Sequence, residues 1–307
     1  MDFDLTQEQA ALRDALAVLL DRRAGPARAR QVDDAGYDEE LDRALDEAGF
    51  LGLAIEEGAG PLEAALVVEA VAGAVGGVPI GAHALVGPAL GVTGAPRPLV
   101  LATDDPSVPV RFGGQAVTAL VLRDGTAWCA PVARESSKPI AGDGYPLAYI
   151  HLERGTSLGP GSGERLVAWW RVALAAEAVG LMTAGLSFVT AFVQQRRQFD
   201  RPISSYQVVQ HRLAECAVLL EGCRWLARRA AWQSAPAEES AIAAAHVAEA
   251  AVRVGRELHQ FSGAIGLTRE YDLQLWTTRL QAIRVELGGL HAHRRAAASA
   301  RWGAGAR

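Results

Sequence analysis

The segment Gln194–Glu215, "QQRRQFDRPISSYQVVQHRLAE", holds the residue types best suited to chemistry. A helical run ends at Arg196 and Arg197, Phe199 follows, the chain turns at Pro202, and a second helical run begins. A guanidinium at such a break can donate paired hydrogen bonds to a pyrophosphate, and an aromatic ring beside it can cover a flat heterocycle. The pattern points to an anionic, planar ligand; the plainer alternative is a solvated arginine pair with Phe199 in the core. His291 and His293 in "LHAHRR" are metal-ligand types, but i,i+2 spacing points them apart on a helix. A basic helix end facing solvent or a partner is expected there. Cys129, Cys216 and Cys223 lack zinc-like spacing, and Cys216 and Cys223 are too far apart along one helix for a disulfide. They read as buried small hydrophobes in a reducing compartment.

The elements that position these groups fall into three zones of a chain of 307 residues. Its composition, 50% hydrophobic and 21% charged, is that of a soluble globular protein, and a net charge of −5 gives a nucleic-acid role no support. Residues 1–96 read as a helical domain. Thr6 and Gln9 have capping-box spacing ahead of a helix to about Arg22, Gly25-Pro26 breaks it, a second helix ends at Gly49, and a third is expected near Leu62–Ala74. Residues 97–155 read as a reduced β-domain: "PLVLATDD", "QAVTALVL" and "TAWCAPVA" are short β-forming runs, the last two separated by a hairpin-like Arg123-Asp124-Gly125. Residues 156–307 read as a four-helix bundle. Its helices are expected near Glu164–Gln195, Ser205–Gln233, Glu238–Phe261 and Tyr271–Arg301, the last with a possible break at Gly288-Gly289. No secretory leader is visible in "MDFDLTQEQAALRD". The longest uncharged apolar run, Ala178–Val193, falls short of the roughly 20 residues that span a bilayer, so a cytoplasmic location is expected.

This order of helical domain, small β-domain and four-helix bundle resembles the acyl-CoA dehydrogenase family. "LDEAGFLGLAIEEGAG" is similar to the family's "GxxGLxxPEExGG" turn, with Ile55 in place of the proline. "RRQFDRPISSYQVVQHRLAE" resembles "RxQFGxPIxxFQxxQHxLA", and "HQFSGAIGLTREYDLQLWTTR" resembles "HQxxGGxGFTxEHDLHLYxRR". The resemblance implies that Arg196, Gln198 and Phe199 contact the FAD of a neighbouring subunit. Gln260 and Gly263 would belong to the second such loop, whose second glycine is replaced by Ala264.

Two features that the family implies are missing. Its "TEPGAGSD" flavin-binding stretch corresponds best to "ATDDPSVP", where Asp104 and Asp105 would repel a pyrophosphate. The catalytic glutamate occupies one of two positions in the family, and counting along the motifs puts Trp170 at one and Gly288 at the other. Three carboxylates lie near, all of them expected to be structural or solvated. Glu286 is about 200° around a helix from Gly288 and would face away unless the loop is rearranged. Glu164 is off-face from Trp170, and Glu177 shares its face about 10 Å deeper. Trp169-Trp170 is expected to fill the place where acyl chain and base would meet. The resemblance is thus to the shorter, base-lacking subunit of actinobacterial heteromeric (α2β2) members. Such a subunit would share FAD with a longer homologue that carries the base and the main flavin pocket, in a complex acting on acyl-CoA without nucleic acid or membrane. A homomeric enzyme using Glu286, or a flavin-free assembly scaffold, are the alternatives.

Overall fold

The computed structural model describes residues 4–32, 36–140 and 144–303. Helix α1 (Gln7–Arg23) begins in a capping box, the Gln9 N–H donating to Thr6 Oγ1 at 3.2 Å and the Thr6 N–H to Gln9 Oε1 at 3.0 Å. After Gly25, at φ +100°, α2 (Pro26–Val32) starts on the proline, and α3 (Glu39–Glu47) is capped by Asp38. Helix α4 (Pro61–Gly73) is buried over most of its surface. A π-helical turn, Gly81–Val86, then runs into the short α5 (Gly87–Ala89). Sequence reading gives no element there, because "GAHALVGPA" mixes helix breakers with apolar residues at no clear period.

The β-region divides into two sheets. One has the order β1 (Leu99–Thr103), β3 (Thr118–Arg123), β4 (Thr126–Pro131), β7 (Thr156–Ser157), with β1 and β3 parallel and the other pairs antiparallel. The second is antiparallel, in the order β2 (Val110–Arg111), β6 (Leu147–Tyr149), β5 (Lys138–Ile140). Strands β3 and β4 form the expected hairpin: Asp124 and Gly125 both take positive φ, 46° and 72°, as a two-residue turn between twisted strands requires. Strands β2, β5, β6 and β7 have three residues or fewer, too short to leave a period in the sequence.

The bundle comprises α6 (Ser162–Gln195), α7 (Gln207–Trp232), α8 (Ala237–Ser262), α9 (Leu273–Ile283) and α10 (Gly289–Trp302). The expected fourth helix is broken at Leu287, Gly288 and Gly289, whose φ values are 52°, 82° and 64°. Helix α9 packs on α6, whereas α10 runs antiparallel to α8, with Arg294 paired to Glu249 and Arg301 to Glu238. Helix α6 crosses α4 at almost bare backbone, since a Cβ on Gly180 would lie 2.0 Å from the Glu69 carbonyl. At 34 residues α6 exceeds the apolar run read from sequence. By length and composition it could cross a membrane, yet 72% of its most apolar window is buried inside the protein. It is the central core helix of the bundle.

Candidate functional site

Trp170 and Gly288 line the same cavity, of about 570 Å³. It lies between β1 and β2, helix α6 and the α9–α10 break. Most of its wall is aliphatic, including Val100, Leu101, Val110 and Leu147. Apart from Thr103, its polar side chains form one cluster around Arg111. Arg111 Nη1 is 2.5 Å from Glu177 Oε2, and Arg111 Nε is 2.5 Å from Glu286 Oε1. Trp170 Nε1 donates to Glu286 Oε2 at 2.7 Å, and Tyr145 OH donates to Glu177 Oε2 at 3.2 Å. The Arg111 guanidinium also stacks 4.7 Å above the Tyr145 ring.

Glu286 is therefore neither off-face nor solvated. Helix α9 ends at Ile283, and Glu286–Gly288 form a 3₁₀ turn with Leu287 left-handed, so the helical count no longer applies and the carboxyl turns inward. Burial raises its pKa, Arg111 opposes that, and Glu177 adds to it. A raised carboxyl suits a base, but Arg111 and Trp170 already claim both of its oxygens. Glu177 is 4% exposed and paired, the structural alternative of the two expected, while Glu164 is exposed in the first turn of α6. Burial disfavours the Arg111 charge, but Glu177 and Glu286 overcome this and hold its pKa well above the usual arginine value. Sequence reasoning missed Arg111 and Tyr145. The usable signal was a lone Arg111 in "VPVRF" and a lone Glu177 in "ALAAEAVGLM", since isolated charges in apolar runs are buried as pairs.

The second group of residues sits at one end of the bundle. Arg197–Gln198 (β8) and Arg201–Pro202 (β9) form a tiny hairpin whose turn is Phe199-Asp200, at φ 53° and 65°. The turn projects Phe199 outward at 86% exposure, so Phe199 is not a core residue. Arg196 is exposed, and among the described residues its guanidinium has no hydrogen bond or ion pair; the exposed side chains of Gln198 and Gln260 also have none. Arg197 instead donates to the Asp200 carbonyl at 2.6 Å. Gly263 ends α8 at φ 65°, with nothing within 4 Å of where a Cβ would be. Exposed Ile265 and Leu267 belong to the same loop.

The two groups are separated within the chain. Trp170 and Arg196 are 26 positions apart on one helix and its cap, about 39 Å at a helical rise of about 1.5 Å per residue. No single ligand in the cavity touches both. The cavity also fits a dinucleotide poorly. Its β1–β2 lining has no glycine for close backbone approach, and every Arg111 nitrogen faces a carboxylate. Asp104 is paired with Arg123, and Asp105 accepts from the Ser107 N–H and hydroxyl, so "ATDDPSVP" closes on itself as a turn. The bundle end does fit such a ligand, with a free guanidinium, an exposed ring and an unobstructed glycine.

The remaining candidate groups are structural. His291 is exposed, but His293 is 1% exposed, and burial together with Arg171 pushes its pKa down to about 4. It is a neutral core side chain, not part of a solvent-facing basic end. Burial raises the Cys216 and Cys223 thiols to about 11 and about 12, which leaves them unreactive.

Comparison with known proteins places these features in a family context. Residues 6–96 match the model of the acyl-CoA dehydrogenase N-terminal domain, and residues 164–300 that of the acyl-CoA dehydrogenase C-terminal domain. The acyl-CoA dehydrogenase IpdE2 of Mycobacterium tuberculosis is 31% identical over 302 residues, covering 89% of this chain and 91% of the relative. IpdE2 of Mycolicibacterium smegmatis is 30% identical, covering 92% and 96%. The ChsE4-ChsE5 complex from Mycobacterium tuberculosis shares the fold, with a TM-score of 0.80, 22% identity, and coverage of 96% of this chain and 97% of the matched one.

Proposed function

The chain belongs to the acyl-CoA dehydrogenase family, and we propose that it is the non-catalytic subunit of a heteromeric, FAD-dependent member that completes a partner's flavin site in trans. The observation that carries this reading is the bundle end, where Arg196, Gln198, Phe199 and Gln260 are exposed and their side chains unengaged among the described residues. Arg196 would donate to the pyrophosphate, Phe199 would cover a flat ring, Gln198 and Gln260 would supply polar contacts, and Gly263 would allow close backbone approach. The partner would be a longer homologue that carries the catalytic glutamate and the main FAD pocket, in an α2β2 assembly. Bound flavin supplies the hydride acceptor for α,β-dehydrogenation of an acyl-CoA thioester. In this chain the two base positions hold Trp170 and Gly288, which cannot take a proton. The description of ChsE4-ChsE5 as a complex of two chains supports a heteromer for a protein of this fold.

The test is the visible spectrum of the chain purified alone and after co-expression with a neighbouring dehydrogenase homologue. The expected result is colourless alone and yellow in the complex, at one flavin per heterodimer. A flavin peak from the lone chain would overturn the reading. It would favour the alternative that the inward-facing Glu286 supports, a homomeric enzyme with a displaced base, in which Glu286→Gln abolishes activity.

A further inference from the structure

The sheet β1–β3–β4–β7 has two ends. The Arg111 cavity takes the end where β1 finishes, at Leu101–Thr103. At the other end Thr118 pairs with both Leu99 and Pro131, and there the loop after α5 borders a second recess of about 470 Å³. That volume falls within the roughly 300–1,000 Å³ of small-molecule sites. Much of the wall is apolar, including Val92, Pro96, Val117, Ala130 and Pro131. Among the described residues no carboxylate lines it, although the chain carries a net charge of −5. The Arg111 cavity, by contrast, is lined by Glu177 and Glu286, and a smaller recess beside Val108 by Asp104 and Asp105. Burial raises the pKa of the Cys129 thiol in the wall, so it adds no negative charge.

The polar groups of this recess are donors. Arg154 is exposed at its rim, and among the described residues its guanidinium has no hydrogen bond or ion pair. Thr118 is 5% exposed, and its hydroxyl likewise has no partner among them. A buried hydroxyl without a partner is costly and calls for one. The two donors are close in the fold, because the Glu153 N–H donates to the Pro131 carbonyl at 3.0 Å and Pro131 pairs with Thr118. The N–H groups of Thr93, Gly94 and Ala95, in the bordering loop, are also not taken up by any acceptor among the described residues. One guanidinium balances one negative charge, and its fork matches a carboxylate. A phosphate dianion would keep a net charge against an apolar wall, which is unfavourable. We propose that this recess binds an organic monocarboxylate, with Arg154 and Thr118 donating to the carboxylate and the loop and the end of β4 enclosing its apolar body. The site is separate from the bundle end, so it and flavin lending can fail independently.

The experiment is a fluorine NMR titration of the full-length chain with para-fluorobenzoate, para-fluorobenzamide and para-fluorobenzylamine, which share one ring and differ in charge. The benzoate is expected to bind at one site per chain, with the amide weaker by about tenfold or more. Arg154→Gln alters an exposed position and leaves the fold intact, which a thermal melt checks. It is expected to weaken benzoate binding by about tenfold or more and to abolish the preference over the amide. Thr118→Val keeps the shape but removes the hydroxyl, and should weaken benzoate binding by about fivefold. Unchanged benzoate affinity in Arg154→Gln would overturn the proposal, as would equal binding of the amide or tightest binding of the amine. Displacement of the benzoate by inorganic phosphate at equal concentration would show a site for bare anions and overturn the organic-acid assignment. Failure of the benzoate to bind would remove the site altogether.

Discussion

Phe199→Gly separates the cost of the hairpin turn from its use, because it should move two measurements in opposite directions. In the lone chain Phe199 is 86% exposed and held at φ 53°. A left-handed conformation costs a non-glycine residue roughly 1–2 kcal/mol, and glycine escapes that cost but loses about 0.5–1 kcal/mol through its freer unfolded chain. Since almost no ring burial is lost, the variant alone should be as stable as the wild type or more stable by up to about 1 kcal/mol. In the complex the ring would cover the flavin. Removing about 100 Å² of buried aromatic surface at about 25 cal/mol/Å² costs about 2.5 kcal/mol, so flavin should bind on the order of 50-fold more weakly. Arg196→Ala should behave similarly for a different reason. It loses a charge-assisted contact worth about 1.5–3 kcal/mol, or roughly 10- to 150-fold in flavin affinity, from a guanidinium that has no ion pair among the described residues of the lone fold. Thermal melts of the lone chain and flavin-release titrations of the co-expressed complex provide the two readings. Undiminished flavin affinity in both variants would refute lending in trans and leave an assembly scaffold as the better account. A large drop in lone-chain stability for Phe199→Gly would show that the ring packs within its own subunit.

Three further outcomes test the cavity and the core. Arg111→Met leaves Glu177 and Glu286 buried without their cation and should destabilise the chain by about 3–5 kcal/mol, measured by denaturant unfolding; a loss below about 1 kcal/mol would mean that water already solvates the cluster. Burial raises Glu286 above its ordinary value of 4.5, so the folded chain binds that proton more tightly than the unfolded chain and its stability falls as pH rises from 4.5 through the raised value. Glu286→Gln removes this loss, and its melting temperature relative to wild type should climb across that window; a difference that declines with pH would contradict the sign. Gly180→Ala forces a methyl group to within 2.0 Å of the Glu69 carbonyl and should cost about 3 kcal/mol or more by separating α4 from α6, visible as a lower denaturant midpoint.

The helices were legible because their signals are local and repeated. The Thr6–Gln9 capping box, the break at Gly288-Gly289 and the Asp124-Gly125 hairpin each appear where the residue types require them. Strands of two or three residues carry no such signal. Neither does the Phe199-Asp200 turn, where two non-glycine residues take left-handed conformations that sequence preference argues against. The Arg111 cluster was hidden for another reason. Its members come from β2, α6 and the α9–α10 turn, and spacing along the chain says nothing about contacts 66 or 116 residues apart. Glu286 shows the limit: a helical wheel turns it away from Gly288 only in an unbroken helix, and here the helix ends at Ile283 and the loop is rearranged.

The two ends of α6 differ in what can account for their residues. Around Arg111 the charges satisfy one another, and their presence follows from folding alone once one of them is buried, since removing any partner strands the others. At the other end Arg196, Gln198, Phe199 and Gln260 touch little in their own chain, and substitution at such exposed positions ordinarily alters stability by no more than about 0.5 kcal/mol. Among the described residues, folding therefore gives no reason for an unpaired guanidinium, two unpaired amides and a solvent-exposed aromatic ring on a left-handed residue to occur at this end of the bundle. Strain of that kind persists where an interaction outside the local fold compensates it. The Arg111 cluster is accounted for from within the chain, whereas the proposed flavin contact would account for the bundle end.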